Sequence, residues 1–269
     1  MSTNLIFGIT FAAGAFMSAV MALAWAIQQR TGQSGWVDAC WTFGVGAAGV
    51  VAGLTASLMQ PGSLRPLIVT IIAAIWSLRL GLHIVARTRG AGDDPRYAKM
   101  REAWGSDAPR RMFRLLQIQA LVSVPLVLAI ALAAWDGARP LGLHDLSACL
   151  LVLVALGGEA LADAQLRAFA RDPANRGRVC RRGLWRYSRH PNYFFEWLIW
   201  LAYPLFAIDL TGGLDWGYLS IAAPAIMYWL LTRVSGIPLL EQHMVGRYGD
   251  LYREYQRTTN AFLPFPPSQ

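Results

Sequence analysis

Charge is scarce in this 269-residue chain, and what there is leans to one sign. Charged residues are 15% of the total, against about 25% in an ordinary soluble domain, so a fully water-solvated surface is excluded. Lysine is nearly missing: Lys99 is the single one among 24 Lys and Arg, which leaves 23 Arg. Cys40, Cys149 and Cys180 show no Cys-x-x-Cys spacing and the four His residues lie far apart, so neither a disulfide framework nor a metal site is expected. A fixed-period repeat, a low-complexity tract and a long linker are all missing, which points to one domain over 1–269. The amino terminus has no basic n-region, so its first apolar segment is expected to be a retained helix rather than a cleaved signal.

Apolar residues make up 55% of the chain, with 11 Trp, and the mean hydropathy is +0.36. Apolar runs of about twenty residues recur, the length needed to cross a ~30 Å hydrocarbon core. An all-α integral membrane protein with seven spans is expected, near Leu5–Ile27, Trp36–Leu58, Leu67–Ala86, Leu115–Trp135, Leu146–Ala168, Asn192–Leu210 and Leu214–Leu231. The net charge of +8 then signals orientation rather than nucleic-acid binding. Eight Lys/Arg lie in Arg87–Arg114 and eight Arg in Arg167–Arg189, and the tail adds Arg233, Arg247, Arg253 and Arg257. The connections near Arg65, Arg139 and Asp209–Asp215 carry almost none. This bias predicts the N-terminus outside and the C-terminus in the cytoplasm.

The segment Gly183-Leu184-Trp185-Arg186-Tyr187-Ser188-Arg189-His190-Pro191-Asn192-Tyr193-Phe194-Phe195-Glu196 begins as a basic loop and turns apolar at Trp197. Pro191 suits the first position of a helix. Asn192 and Glu196 then fall one turn apart on one face. The first N–H groups of that helix, with Arg181, Arg182, Arg186 and Arg189 before it, would suit a phosphate; positively charged flanks of a span are the plainer explanation of the arginines alone.

Other spans carry polar residues that hydrocarbon disfavours. Asp38 and Trp41 share a face of the second span. Asp38 is either functional, a helix-start cap, or the structural partner of an Arg. Trp76, Arg79 and His83 form a stripe on the third, where Arg79 needs a carboxylate or phosphate, Asp38 being one candidate. Glu159, Asp163 and Arg167 descend the fifth at intervals of four, as a ligand site or as an interhelical salt-bridge network. Gly8 and Gly14 suggest close packing of the first span. The fourth reads as lipid-facing filler that Pro125 can kink, and Asp93-Asp94-Pro95-Arg96-Tyr97 as a solvated loop. Tyr248, Tyr252 and Tyr255 make one stripe of an amphipathic cytoplasmic helix.

Gly183-Leu184-Trp185-Arg186-Tyr187-Ser188 through Asn192-Tyr193-Phe194-x-Glu196, followed by Tyr252-x-x-Tyr255 and Phe262-Leu263-Pro264, resembles the C-terminal half of the steroid 5-alpha-reductase family, most closely its bacterial membrane branch. The likeness is specific from about Glu159 to Pro264, where the cofactor site would lie. It implies a seven-helix NADPH-dependent reductase of a conjugated enone, such as a 3-keto-4-ene steroid or related lipid. The family's cofactor contacts fall on Asp163, Arg178, Asn192, Glu196 and Tyr248, and its substrate-polarising acid falls near Asp38. With their neighbours, the expected cofactor set is Arg79, Glu159, Asp163, Arg167, Arg178, Arg182, Tyr187, Asn192, Glu196, Arg247 and Tyr248. Asp38, Trp41 and Trp76 are expected at the substrate, with Trp36 helping to form a slot for a flat lipid entering from the bilayer. The implied setting is a bacterial inner membrane, with the cofactor on the cytoplasmic side.

Two departures matter. Ser188-Arg189-His190-Pro191-Asn192 replaces a small Ser-Gly-Ala-Asn run, and Phe195 stands where Gly is common. Arg-His-Pro-x-Tyr is shared with the isoprenylcysteine carboxyl methyltransferases and related phospholipid methyltransferases, which bind S-adenosylmethionine and also resemble the Glu241 and Tyr252-x-x-Tyr255 region. A methyltransferase is therefore the alternative. A transporter would show paired repeats with interrupted helices, which this chain lacks.

Overall fold

The computed structural model describes residues 1–89, 93–135, 140–209, 212 and 215–268. Its regular elements are helices: α1 (Thr3–Thr31), α2 (Gly35–Met59), α3 (Arg65–Arg89), α4 (Pro95–Trp104), α5 (Ala108–Trp135), α6 (Leu143–Arg171), α7 (Pro191–Ala207), α8 (Ala222–Trp229), α9 (Ile237–Tyr248) and α10 (Asp250–Thr258). Among the described residues, six helical stretches are long and apolar enough to cross a membrane. The expected span ends at Leu210 and Leu214, and the connection at Arg139, lie outside the described residues.

Local chemistry sets the helix ends. Ser2 caps α1 by accepting from the Leu5 N–H, and Gly32, at φ 69°, closes it by donating to the Gln28 carbonyl. Left-handed φ is the conformation in which glycine alone is unstrained. Asp94 caps α4 through the Arg96 N–H at 3.0 Å. The expected solvated loop at Asp93–Tyr97 is thus the start of an ordered helix, and Tyr97 is 5% exposed.

The chain forms two compact units: Met1–Ala148 with Tyr203–Ala223, and Cys149–Ala202 with Pro224–Gln269. In the first, α5 packs on α1, α2 and α3 and buries every residue from Ala129 to Ala134. It is a core helix, not lipid-facing filler. Hydropathy cannot separate lipid from protein neighbours, since both are apolar.

Small residues close the α2–α3 contact. A Cβ on Gly46 would overlap the Ser77 side chain, one on Gly53 would meet Thr70 Oγ1, and one on Gly49 would come 2.8 Å from Ile130 Cδ1. Close packing by glycine is therefore found in α2 and not in α1. In α1, nothing lies within 4 Å of a Cβ on Gly8, and Gly14 makes only an ordinary contact with Val124. Gly46→Ala is expected to cost about 1–3 kcal/mol, the usual range for overpacking, while Gly8→Ala should be neutral or slightly stabilising. Thermal unfolding in detergent reads both, and equal melting temperatures would contradict the packing assignment.

One ion pair anchors this unit far from any feature singled out in the sequence. Arg65, wholly buried, grips Asp145 with Nε and Nη2 at 2.7 and 3.0 Å and also donates to the Pro140 carbonyl. Two-point contact suits the planar guanidinium, and the extra carbonyl satisfies a donor that burial would otherwise strand.

In the second unit, Phe262 sits in an aromatic cluster with Phe194, Trp197 and Tyr228 at centroid distances of 5.9, 5.7 and 5.4 Å. The ring of Phe195 fills the space beside Gly158, where a Cβ would overlap it. The large residue at 195 is thus matched by a small one on α6.

Candidate functional site

Polar clusters interrupt the apolar interior of both units. In the first unit, Asp38 lies in the first turn of α2. Arg96 Nη2 reaches its Oδ2 at 2.6 Å and the Tyr97 hydroxyl donates to its Oδ1 at 3.2 Å. The partner of Asp38 is therefore Arg96, from the segment expected to be a solvated loop, and not Arg79 on α3. Arg96 also binds Asp94, at 3.0 and 2.8 Å. Burial raises the Asp94 carboxyl, but the hydrogen bond and charge of Arg96 outweigh it and leave the group below its ordinary value. Arg101 and the Ser34 N–H both engage Asp93, tying this segment to the start of α2.

The inner wall of that cluster is aromatic. Trp41 and Trp76 meet edge to face at 6.4 Å. Trp41 Nε1 donates to Ser123 Oγ at 2.7 Å, and Gln119 Nε2 donates to the Tyr97 oxygen at 3.3 Å. The expected Trp41–Trp76 grouping is present. Trp36 instead turns its Nε1 to Gln33 at 3.2 Å, because position 36 lies on another side of the helix than 41. Gln119 and Ser123 are not singled out by the sequence, and Tyr97 is expected there only as part of a solvated loop. Gln119 and Ser123 are four apart and mark a polar face on α5, a signal that the apolar run around them hid.

In the second unit, Glu159 and Asp163 lie one turn apart on α6, 3% and 5% exposed. Asn192, in the first turn of α7, donates Nδ2 to Asp163 Oδ1 at 3.4 Å, and the equally buried Glu196 accepts from Trp200 Nε1 at 3.0 Å. One residue from each of the two helical spacings thus meets, Asp163 with Asn192. Arg167, Arg178, Arg182, Tyr187 and Arg247 are exposed, whereas Arg79 is half-buried on α3 in the first unit.

The basic loop between α6 and α7 has a fixed course. Asn175 is buried and donates to the Phe169 carbonyl at 3.0 Å. The Leu184 N–H donates to Gln165 Oε1 and Trp185 Nε1 to the Ala162 carbonyl, both at 2.9 Å. Gly183 holds φ 58°, with the end of the Gln165 side chain beside it, so the backbone conformation requires glycine. Gln165, Phe169, Asn175, Cys180 and Arg182 are among the residues lining a cavity of about 280 Å³.

Arg189 differs from the other arginines of the loop and leaves the expected phosphate set. It is 9% exposed. Its Nε and Nη2 hold Glu241 at 2.6 and 3.1 Å, Nη1 donates to the carbonyls of Gln256 and Thr259, and its N–H donates to the Asn260 carbonyl. His190 Nε2 adds a 3.0 Å contact to Glu241, although burial holds this imidazole below its ordinary value. Gln256 Nε2 donates to the second Glu241 oxygen at 2.7 Å. The tyrosine stripe is also split. Gly249, at φ 56°, ends α9 after Tyr248, and Tyr252 and Tyr255 are buried on α10, with the Tyr255 hydroxyl donating to the Trp185 carbonyl. Arg247 lies over the ring of Tyr248 at 5.3 Å.

Residues 24–259 match the model of the family described as "Protein of unknown function (DUF1295)". An uncharacterized protein of Schizosaccharomyces pombe is 40% identical over 85 residues, a match covering 30% of this chain and 22% of that protein. No solved structure matches.

Proposed function

We propose that this chain, which belongs to the DUF1295 family, is an NADPH-dependent membrane reductase of the carbon–carbon double bond of a conjugated, lipid-like enone. The observation that carries the reading is the pair of buried Asp163 and half-buried Asn192, beside Glu196 and in one compact unit with the exposed arginines of the preceding loop. A nicotinamide carboxamide needs one acceptor and one donor, which a carboxylate and an Asn amide provide. A 2′-phosphate and a pyrophosphate need several cations with free donors, and Arg178, Arg182 and Arg186 are exposed. S-adenosylmethionine would ask for one carboxylate partner, and the Arg189-His190 and Glu241 residues that carry the methyltransferase likeness are engaged with one another.

The residues of this chain would divide the work. Bound NADPH would supply the hydride. Asn192 and Asp163 would orient the carboxamide, Glu196 would remain held by Trp200, and Arg178 with Arg182 would take the phosphates. In the first unit, Trp41 and Trp76 would flank an apolar substrate, and the Tyr97 hydroxyl would turn its single proton from Asp38 to the carbonyl oxygen as negative charge builds there. Gln119, donating to that hydroxyl, would make it a stronger donor, and Asp38 would hold it in place until the substrate carbonyl takes over its hydrogen bond. Asp38, already bonded to Arg96, acts here as an acceptor and not as the donor.

The same reading completes the topology. α7, with 17 residues, rises about 26 Å, enough for a seventh crossing at the short end of the range. Seven crossings place the basic connections together, with the N-terminus outside and the C-terminus in the cytoplasm. A bacterial inner membrane, with the cofactor taken from the cytoplasm, fits that arrangement.

Thermal shift of the purified protein tests the cofactor. NADPH at 100 times its Kd is expected to stabilise by about 2.7 kcal/mol, with no shift from S-adenosylmethionine. Arg178→Ala should weaken NADPH affinity about tenfold, the loss of one exposed charge-assisted bond. Stabilisation by S-adenosylmethionine alone would assign the chain to the methyltransferases.

A further inference from the structure

The end of the last apolar helix carries a second cavity, in the same unit as Asn192 but built from other residues. Tyr228, Thr232, Arg233, Ile237, Phe262 and Leu263 are among those lining its volume of about 280 Å³. The helix widens here: Leu230–Val234 is a π turn, in which the Ser235 and Gly236 N–H groups both return to the Leu230 carbonyl, at 3.0 and 3.2 Å. Such turns recur at functional sites because the extra residue re-aims the side chains beside it. Gly236 is required by space, since a Cβ there would run into the Leu231 carbonyl oxygen. The opposite wall is the tail segment Asn260–Leu263, whose course Arg189 sets through the carbonyls of Thr259 and Asn260.

The lining combines apolar and aromatic side chains with the polar Thr232 and Asn260 and one exposed cation, Arg233. Ile237 and Phe262 are buried, while Tyr228 and Leu263 are 44% and 40% exposed. Among the described residues no carboxylate pairs with Arg233, and Glu241, four residues past Ile237, is taken by Arg189, His190 and Gln256. Trp229 and Val234, next to lining residues in the chain, and Phe265, two past Leu263, are also exposed. A whole dinucleotide does not match this lining, because one Arg cannot answer three phosphate groups. An amphiphile with one anionic group and an alkyl chain does match.

We propose that this cavity binds the headgroup of an anionic membrane phospholipid. The phosphate lies against Arg233, with Asn260 as a polar neighbour, and the first acyl segment runs along Tyr228, Phe262 and Leu263. The position at the end of an apolar helix puts Arg233 at headgroup depth, where a cation is favoured.

Lipid retention on the purified full chain in neutral detergent tests this, measured by native mass spectrometry after incubation with equal phosphatidylglycerol and phosphatidylcholine. The unmodified chain is expected to prefer phosphatidylglycerol about fivefold more than Arg233→Gln does, the factor that one cation near an anionic surface contributes. Arg110→Gln removes an exposed charge of equal sign elsewhere and should leave the preference unchanged. Ile237→Trp, filling the cavity, should lower retention of both lipids, with the helical circular-dichroism signal unchanged. Glycerol 3-phosphate, which has no acyl chain, should not compete. Equal loss in Arg110→Gln would make the preference a net-charge effect and overturn the proposal. So would an unchanged preference in Arg233→Gln, or competition by glycerol 3-phosphate at the lipid's concentration, which would mark a free-anion site. NADPH binding should be unchanged in Arg233→Gln, so failure here is distinguishable from failure of the reductase reading.

Discussion

Glu241→Ala is expected to be the most destabilising single replacement in the second unit. The carboxylate receives Arg189 at two points, His190 and Gln256. Removing it leaves a guanidinium buried among backbone carbonyls with no countercharge, and breaking such a pair typically costs about 3–5 kcal/mol. The tail should respond as well, because the same guanidinium donates to the carbonyls of Gln256 and Thr259. Unfolding in detergent measures the first effect. Limited proteolysis of residues 258–268 measures the second, with faster cleavage expected. A variant that melts with the unmodified chain and keeps its tail resistant would show that Arg189 is held well enough by carbonyls alone. Glu241→Gln, which keeps shape and one acceptor oxygen, should fall between the two.

Tyr97→Phe is expected to have the largest effect on turnover. It removes one hydroxyl from a buried position and leaves the ring in place. Under the reductase reading kcat should drop about 10²-fold or more, the scale of losing one donor to a developing oxyanion, with NADPH affinity unchanged. Asp38→Asn should cost less, since an amide still accepts from Tyr97 but no longer pairs with Arg96. That ion pair is partly exposed, 18% and 25% at the two side chains, so its loss should cost at most about 1 kcal/mol of stability. Asp38→Ala should fall between the two variants in turnover, because the hydroxyl loses its acceptor and its orientation. Should Tyr97→Phe reduce an enone at the full rate, the donor lies elsewhere, and Asp38 has no part in placing it.

Local features were legible wherever the spacing along one helix carries the information. Asn192 and Glu196 share a face because they are one turn apart, and Glu159 and Asp163 do so for the same reason. Across α6 and α7 the structure joins Asp163 to Asn192, a contact that spacing along one helix does not specify. Trp41 and Trp76 were found by spacing within their own helices. The Asp93–Tyr97 segment was misread because two acids, a Pro and an Arg resemble a solvated turn. In the structure Asp94 is a helix cap and Arg96 a countercharge, roles that only their neighbours reveal.

The amino-acid sequence by itself determined that this is an all-helical chain with several membrane-length apolar runs. It also determined which residues line each helical stripe, since both depend on order along the chain. Only the tertiary structure decided which charges meet. Asp38 finds Arg96 58 residues away, Arg65 finds Asp145 80 away, and Arg189 finds Glu241 52 away. Before folding, any arginine can satisfy any buried carboxylate, and 23 Arg face 16 Asp and Glu. Helix rotation and close approach, set in α2 by glycines that admit Ser77 and Thr70, choose among them. The same packing turned α5 into a core helix and Arg189 into a clasp, because an apolar run and an arginine look alike in sequence whether they face lipid, water or protein.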